Sequence, residues 1–245
     1  MDFETAPVPF DWNEHGSRLM MRQRRQTRCS SGTNSVQHVL FVFDSSGSIG
    51  QSQYDRMKEA VALLAPQFCR EVHFALLTFS SNLNLEFCFN CFSSNYDGKT
   101  QAAQAIRAAS YQSGSTNTGA AAKCICDHLL HPSCGISVDP SCLDVVFITD
   151  GKSNDPSLEV CDEVKCLHNR YGVNTYAIGI RSGSGHNSFD QDELDCISDG
   201  SNVLSAFEYN SFDEFEQSIY TILALIATHS TNTHYACARL DGTVD

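Results

Sequence analysis

The chain has 245 residues and a formal net charge of −13, from 16 Lys and Arg against 29 Asp and Glu; so acidic a surface makes nucleic acid a poor partner. Hydrophobic residues make up 42%, enough for an ordinary core and too many for a disordered chain. Twelve cysteines are the anomaly, because a chain this long buries a core without staples; an even count of this size points to disulfides and a secreted or extracellular setting.

Residues 1–34 read as a tail, with Pro7, Pro9, no periodicity and a basic cluster Arg22-Gln23-Arg24-Arg25. That cluster resembles the site cut by furin-type processing proteases, and reads equally well as a solvated basic linker. Residues 1–20 have neither a positive start nor an apolar run. The expectation is therefore a fragment of a longer secreted protein, or a start downstream of the real one. No stretch approaches the ~18 apolar residues of a membrane helix, so no membrane insertion is expected.

From residue 35 the pattern becomes regular. Val36–Phe43 is an apolar run ending at Asp44, the pattern of a strand buried on both faces. Tyr54–Phe68 has helical spacing, Glu71–Phe79 and Asn84–Phe89 read as strands, and Thr100–Ala109 and Thr118–Leu130 read as helices. Leu143–Thr149 is another run with the pattern of a fully buried strand, again ending in an aspartate, Asp150. Pro156–Tyr171 reads as a helix with proline in its first turn, Val173–Ile180 as a strand, Gln191–Ile197 as a short helix and Asn202–Ala206 as a short strand. Phe212–Thr228 closes the domain as an amphipathic helix with Phe212, Phe215, Ile219, Ile222, Leu223 and Ile226 on one stripe. This alternation predicts an α/β fold: a doubly wound, mostly parallel six-stranded sheet with helices on both faces. One domain is expected over 35–229, with a tail over 230–245.

In such a sheet the site lies at the carboxyl ends of the strands, where the strand order reverses. Two apolar strands end there in carboxylates, Asp44 in Asp44-Ser45-Ser46-Gly47-Ser48-Ile49-Gly50 and Asp150 in Ile148-Thr149-Asp150-Gly151. Residues two apart project to the same side, so Asp44, Ser46 and Ser48 can aim three oxygens at one point while Gly47 and Gly50 allow a sharp turn. An all-oxygen donor set suits a hard divalent cation, and two carboxylates balance its charge.

The Asp-x-Ser-x-Ser run of Asp44, Ser46 and Ser48 resembles the first motif of the von Willebrand factor type A domain. Gly114-Ser115-Thr116-Asn117-Thr118-Gly119 is similar to the second motif, with Thr116 in the ligand position, and Asp150 in Val145-Val146-Phe147-Ile148-Thr149-Asp150-Gly151 is similar to the third. The resemblance spans roughly residues 36–229. It implies a complete metal-ion-dependent adhesion site of Asp44, Ser46, Ser48, Thr116 and Asp150, holding Mg²⁺ with Mn²⁺ or Ca²⁺ as alternatives. It further implies an open metal position filled by an Asp or Glu of an extracellular protein: collagen, another matrix protein or a cell-surface receptor. In some members this binding is linked to a shift of the last helix. A structural matrix component, cross-linked through this domain, is the alternative. A phosphatase of the haloacid dehalogenase type needs a second acid where Ser46 stands, so an enzyme is not expected.

Zinc is the rival use of the cysteines, through Cys88-x-x-Cys91 and Cys124-x-Cys126 near His128, although no second Cys-x-x-Cys follows at ribbon spacing. Connectivity is not legible in a sequence, but some pairs are favoured by position. Cys134 and Cys142 flank one loop, Cys166 and Cys196 lie on helices expected to be neighbours, and Cys161 should not pair with Cys166 on the same helix. Cys29 and Cys237 bracket the domain, and similar bridges occur in some relatives. Such a bridge would tether the last helix and make the domain a constitutive binder.

Overall fold

Two strands carry the fold because they admit no solvent on either face. β1 (Gln37–Asp44) is buried along all eight residues, and seven residues of a later strand (Leu143–Thr149) are buried likewise. The computed structural model describes residues 37–68, 71–136, 143–150, 152–171, 173–180, 190–198, 206–209 and 214–215. In it, β1 is joined by β2 (Val72–Phe79), β3 (Leu83–Phe87), β4 (Leu143–Thr149), β5 (Asn174–Ile180) and β6 (Ala206–Tyr209). They form one six-stranded sheet in the order β3-β2-β1-β4-β5-β6, parallel throughout except for the antiparallel edge strand β3. The expected doubly wound, mostly parallel α/β sheet is observed.

Alternation along the central strands splits the core into two layers. Val39, Phe41, Phe43, Val146 and Ile148 pack with residues of α1 (Gln51–Leu64) and α2 (Tyr96–Ala108). Leu40, Val42, Val145 and Phe147 pack on the other side with α3 (Thr118–Cys124), α4 (Val160–Glu163) and α5 (Gln191–Ile197). Tyr54, Met57, Val61 and Leu64 give α1 its buried stripe at three- and four-residue spacing. Phe215 is fully buried in the first layer and is helical together with Glu214; the other positions of the expected 212–228 helix lie outside the described residues.

Several boundaries differ from expectation for local reasons. α1 begins at Gln51, three residues early, because Gly50 with φ of 73° turns the chain directly into it. α2 begins at Tyr96, where the Asn95 side chain accepts from the Gly98 N–H at 3.0 Å and caps the helix. Residues 156–171 are not one helix. The Asp155 carboxylate accepts from both the Ser157 N–H and hydroxyl, holding Pro156 in a turn, so α4 begins at Val160 and gives way to a wider helical turn over Cys166–Tyr171. β6 is described over Ala206–Tyr209, which begins at the last residue of the expected 202–206 strand; residues 202–205 lie outside the described residues.

The cysteine pairings also differ from expectation. Cys134 bonds to Cys88 rather than Cys142, and Cys166 and Cys196 bond not to each other but to Cys126 and Cys161. The break after α4 explains the second difference: it turns Cys161 toward α5 and Cys166 toward the turn that extends α3. Cys88 and Cys126 are thereby spent in disulfides, which removes the zinc reading of their motifs. Cys29, Cys237 and the Arg22–Arg25 cluster lie outside the described residues.

Far from the β-strand carboxyl ends, Asp144 is buried at the start of β4. Its carboxylate accepts from Gln37 Nε2 (2.5 Å), Asn174 Nδ2 (3.2 Å) and Tyr176 OH (3.4 Å). Burial outweighs these bonds and pushes its pKa up to about 7. A carboxyl held above its unfolded value contributes stability that is complete at acid pH and lost as pH rises through about 7. Asp144→Asn should therefore match the wild type near pH 4 and melt increasingly above it as pH rises to 8, measured by thermal unfolding across pH. A difference independent of pH would contradict this origin.

Candidate metal centre

The strand order reverses between β1 and β4: the chain leaves β1 for β2 on one side and β4 for β5 on the other. The connections diverge and open a crevice at the carboxyl ends, where Asp44 and Asp150 stand on adjacent strands. Both aspartates are fully buried, and Ser46 and Thr116 nearly so, while Ser48 is exposed.

Four of the five expected residues form one hydrogen-bonded set. The Ser46 N–H donates to Asp44 Oδ1 (2.8 Å), Ser46 Oγ and Ser48 Oγ lie 3.0 Å apart, and Ser48 Oγ donates to Asp150 Oδ1 (2.9 Å). Thr116 is brought alongside by its loop. Gly47 N–H donates to Gly114 O (2.9 Å), Ser113 N–H to Ser45 O (3.0 Å), and Asn154 N–H to Thr116 O (2.7 Å), so the backbones of all three motif loops are tied together. The middle loop needs unusual backbone: Ser113 has φ of 61° and Gly114 φ of 117°, and a side chain at Gly114 would strike Ser81 Oγ at 2.6 Å.

Other residues that the motifs did not name also hold the centre. Thr149 Oγ1 donates to Asp44 Oδ2 (2.6 Å), and Tyr111 OH donates to Ser46 O (3.1 Å). Glu193 of α5 accepts the Ser153 N–H on both oxygens (3.1 and 3.0 Å), and Lys152 pairs with Asp190 (2.9 Å), so the loop after Asp150 is clipped to α5. Thr149 was legible as the neighbour of Asp150, whereas Tyr111 and Glu193 carry no local signal.

The electrostatics follow from burying two acids together. Burial raises the Asp44 pKa despite the bonds from Thr149 and Ser46. Burial, and then the negative charge of Asp44, push Asp150 up to about 7. Asp150 Oδ2 is buried with no hydrogen-bond partner. A buried acceptor without a donor is costly, as is an unneutralised acid pair, and a hard cation relieves both. The donors that converge are carboxylate and hydroxyl oxygens, which fit such an ion. Among the described residues no three His, Cys, Asp or Glu side chains gather into a metal cluster, so any ion here relies on hydroxyls as well as acids.

Comparison with known proteins agrees with this architecture. The von Willebrand factor type A domain family model matches residues 38–221, and the chain belongs to that family. It is 28% identical to bovine (Bos taurus) vitrin over 204 residues, covering 82% of this chain and 28% of that protein. It is 30% identical to human integrin alpha-X over 146 residues, covering 59% of this chain and 12% of the integrin chain. The human collagen alpha-1(XX) chain matches at 29% identity over 59% of this chain and 11% of its own length. The chain thus spans less than a third of these relatives. Among solved structures, proximal thread matrix protein 1 from the mussel byssus superposes with a TM-score of 0.65 at 23% identity, over 81% of this chain and 48% of that one. A second structure of that mussel protein, described as having a zinc-occupied MIDAS motif, gives a TM-score of 0.63.

In metal-free protein, neutralising one acid should relieve the burial cost. Asp150→Asn should raise the melting temperature in EDTA at pH 7.5 by about 2–8 °C, the equivalent of about 1–2 kcal/mol in a domain of this size. A lowered melting temperature would contradict the electrostatic account.

Proposed function

We propose that this chain is an extracellular protein-binding module, a type A domain over 35–229 that engages an acidic residue of its partner through a divalent cation. Asp44, Ser46, Ser48, Thr116 and Asp150 would hold the ion. The observation that carries this reading is the buried Asp150 Oδ2, left without a donor beside a second buried carboxylate. When bound, Mg²⁺, or Mn²⁺ or Ca²⁺ in its place, supplies an oxygen-seeking coordination position that an Asp or Glu carboxylate completes.

The chain's own residues do the positioning. Thr149 fixes the Asp44 carboxylate, Ser48 bridges the first motif to Asp150, and Tyr111 braces the Ser46 backbone. The partner would be collagen, another matrix protein or a cell-surface receptor, in keeping with relatives that include a collagen chain and integrin alpha chains. The disulfides support an oxidising compartment, and no helix among the described residues is long and apolar enough to cross a membrane. The reading is binding rather than hydrolysis: Ser46 occupies the place where a phosphatase of the dehalogenase type needs its second acid.

A panel of immobilised collagens and other matrix proteins tests the proposal. In Mg²⁺ the wild type should bind at least one of them, with the signal abolished by EDTA. Asp44→Ala should weaken that binding more than tenfold at unchanged far-UV circular dichroism. Binding that survives both treatments would mean that the crevice is not the contact.

A further inference from the structure

The Cys88-x-x-Cys91 motif plays no part in the metal centre. Asp44 and Phe79 mark the sheet end that carries that centre, where β3 begins at Leu83 opposite Phe79. β3 then runs antiparallel to Phe87, opposite Leu76, so Cys88 emerges toward the other end of the sheet. There it is joined to Cys134, which lies in a short helical turn over Pro132–Cys134. Cys91 is three residues further on, exposed and without a disulfide.

Backbone hydrogen bonds hold these three cysteines in one frame independently of the sulfur bond. The Cys91 N–H donates to Cys88 O (3.1 Å), closing a turn that brings the two residues together. The Cys88 N–H donates to Cys91 Sγ at 3.3 Å, which draws the free sulfur back over its disulfide-bonded neighbour. The Phe89 N–H donates to Cys134 O (3.1 Å), so the helical turn holding Cys134 stays joined to the 88–91 turn whether or not a sulfur bridge links them. His73 Nδ1 lies 3.1 Å from Phe92 O and His38 Nε2 3.4 Å from Gly135 O, anchoring the far side of each segment to β2 and β1. Cys134 is nearly fully buried, while Cys91 faces solvent.

We propose that Cys88, Cys91 and Cys134 form an internal thiol–disulfide exchange site. Cys91 gives up its thiol proton and attacks Cys88 Sγ as the thiolate. A Cys88–Cys91 bond forms, the Cys88–Cys134 bond breaks, and the electron pair leaves on Cys134 Sγ, which takes up a proton. One thiol and one disulfide stand on each side, so no oxidant or reductant is consumed. The reverse attack by Cys134 restores the first arrangement. The exchange moves the free thiol from an exposed to a buried position and replaces a link spanning 46 residues with one closed inside a four-residue turn. Thiol reactivity toward external disulfides is thereby gated by which bond is present.

Peptide mapping of the folded protein tests this. The wild type is equilibrated at pH 8, quenched in acid, alkylated with N-ethylmaleimide in guanidinium at pH 6 and digested without reduction. Two species are expected: Cys91 alkylated with Cys88–Cys134 linked, and Cys134 alkylated with Cys88–Cys91 linked. Cys91→Ala should lose the second species altogether, leaving Cys88–Cys134 alone. Cys134→Ala, oxidised with glutathione disulfide, which takes the two electrons and leaves as two glutathione thiols, should contain the Cys88–Cys91 link; should that variant fail to fold, the wild type and Cys91→Ala still decide. Only the first species in the wild type after prolonged equilibration, or Cys91 bonded to a cysteine other than Cys88, would overturn the proposal.

Discussion

Two carboxylates buried side by side at the carboxyl ends of adjacent strands are the constraint around which this domain is organised. A sheet whose central strands are covered on both faces leaves no solvent for an acid at the strand end, yet Asp44 and Asp150 are both placed there. The hydrogen bonds from Ser46, Thr149 and Ser48 lessen the cost but do not remove it, since burial still raises both acids and one oxygen of Asp150 is left without a donor. Natural domains retain such a site when something outside the chain completes it. That is the physical content of the metal reading, and it stands on the atoms before any likeness to other proteins is considered.

Everything that surrounds the pair makes its geometry stiff. The three loops share backbone hydrogen bonds, so a movement of one is resisted by the others. On the second core layer, Cys126–Cys166 joins the extension of α3 to the turn after α4, and Cys161–Cys196 joins α4 to α5. Glu193 on α5 then holds the loop that follows Asp150. The side of the domain that carries Thr116 and Asp150 is thus braced by covalent bonds running from helix to helix. Cross-links of this kind act mainly on the unfolded chain, but here they also tie the helices that support the loops carrying Thr116 and Asp150. The abundance of cysteine, superfluous for folding a chain of this length, is in part spent on holding that side.

Much of the fold and the core of the site were legible in the sequence, for a definite reason. Runs such as Val39–Phe43 and Val145–Ile148 are apolar without interruption, and only a strand covered on both faces accommodates them; the aspartate that follows each run then had to lie near the strand end. Asp44, Ser46 and Ser48 follow from a spacing of two along one loop. Thr116 was reached only through family resemblance, because a threonine in a polar loop carries no signal of its own. What escaped depends on contacts between distant segments. The hydroxyl of Tyr111, the carboxylate of Glu193 and the partners of Cys134, Cys166 and Cys196 are set by how helices and loops meet across the sheet. The 156–171 segment misled because its apolar spacing is helical while Asp155, through its local bonds to Ser157, favours a turn.

The central claim is that the acid pair exists to hold a divalent cation, and calorimetric titration of Mg²⁺ into the metal-free domain tests it most directly. Because Asp150 is held up to about 7, an incoming cation must compete with a proton. The account predicts one saturable site per chain, with protons released at pH 6 and almost none at pH 8.5, and no such site in Asp150→Asn. Heat indistinguishable from dilution at both pH values, or binding unchanged by that substitution, would contradict it.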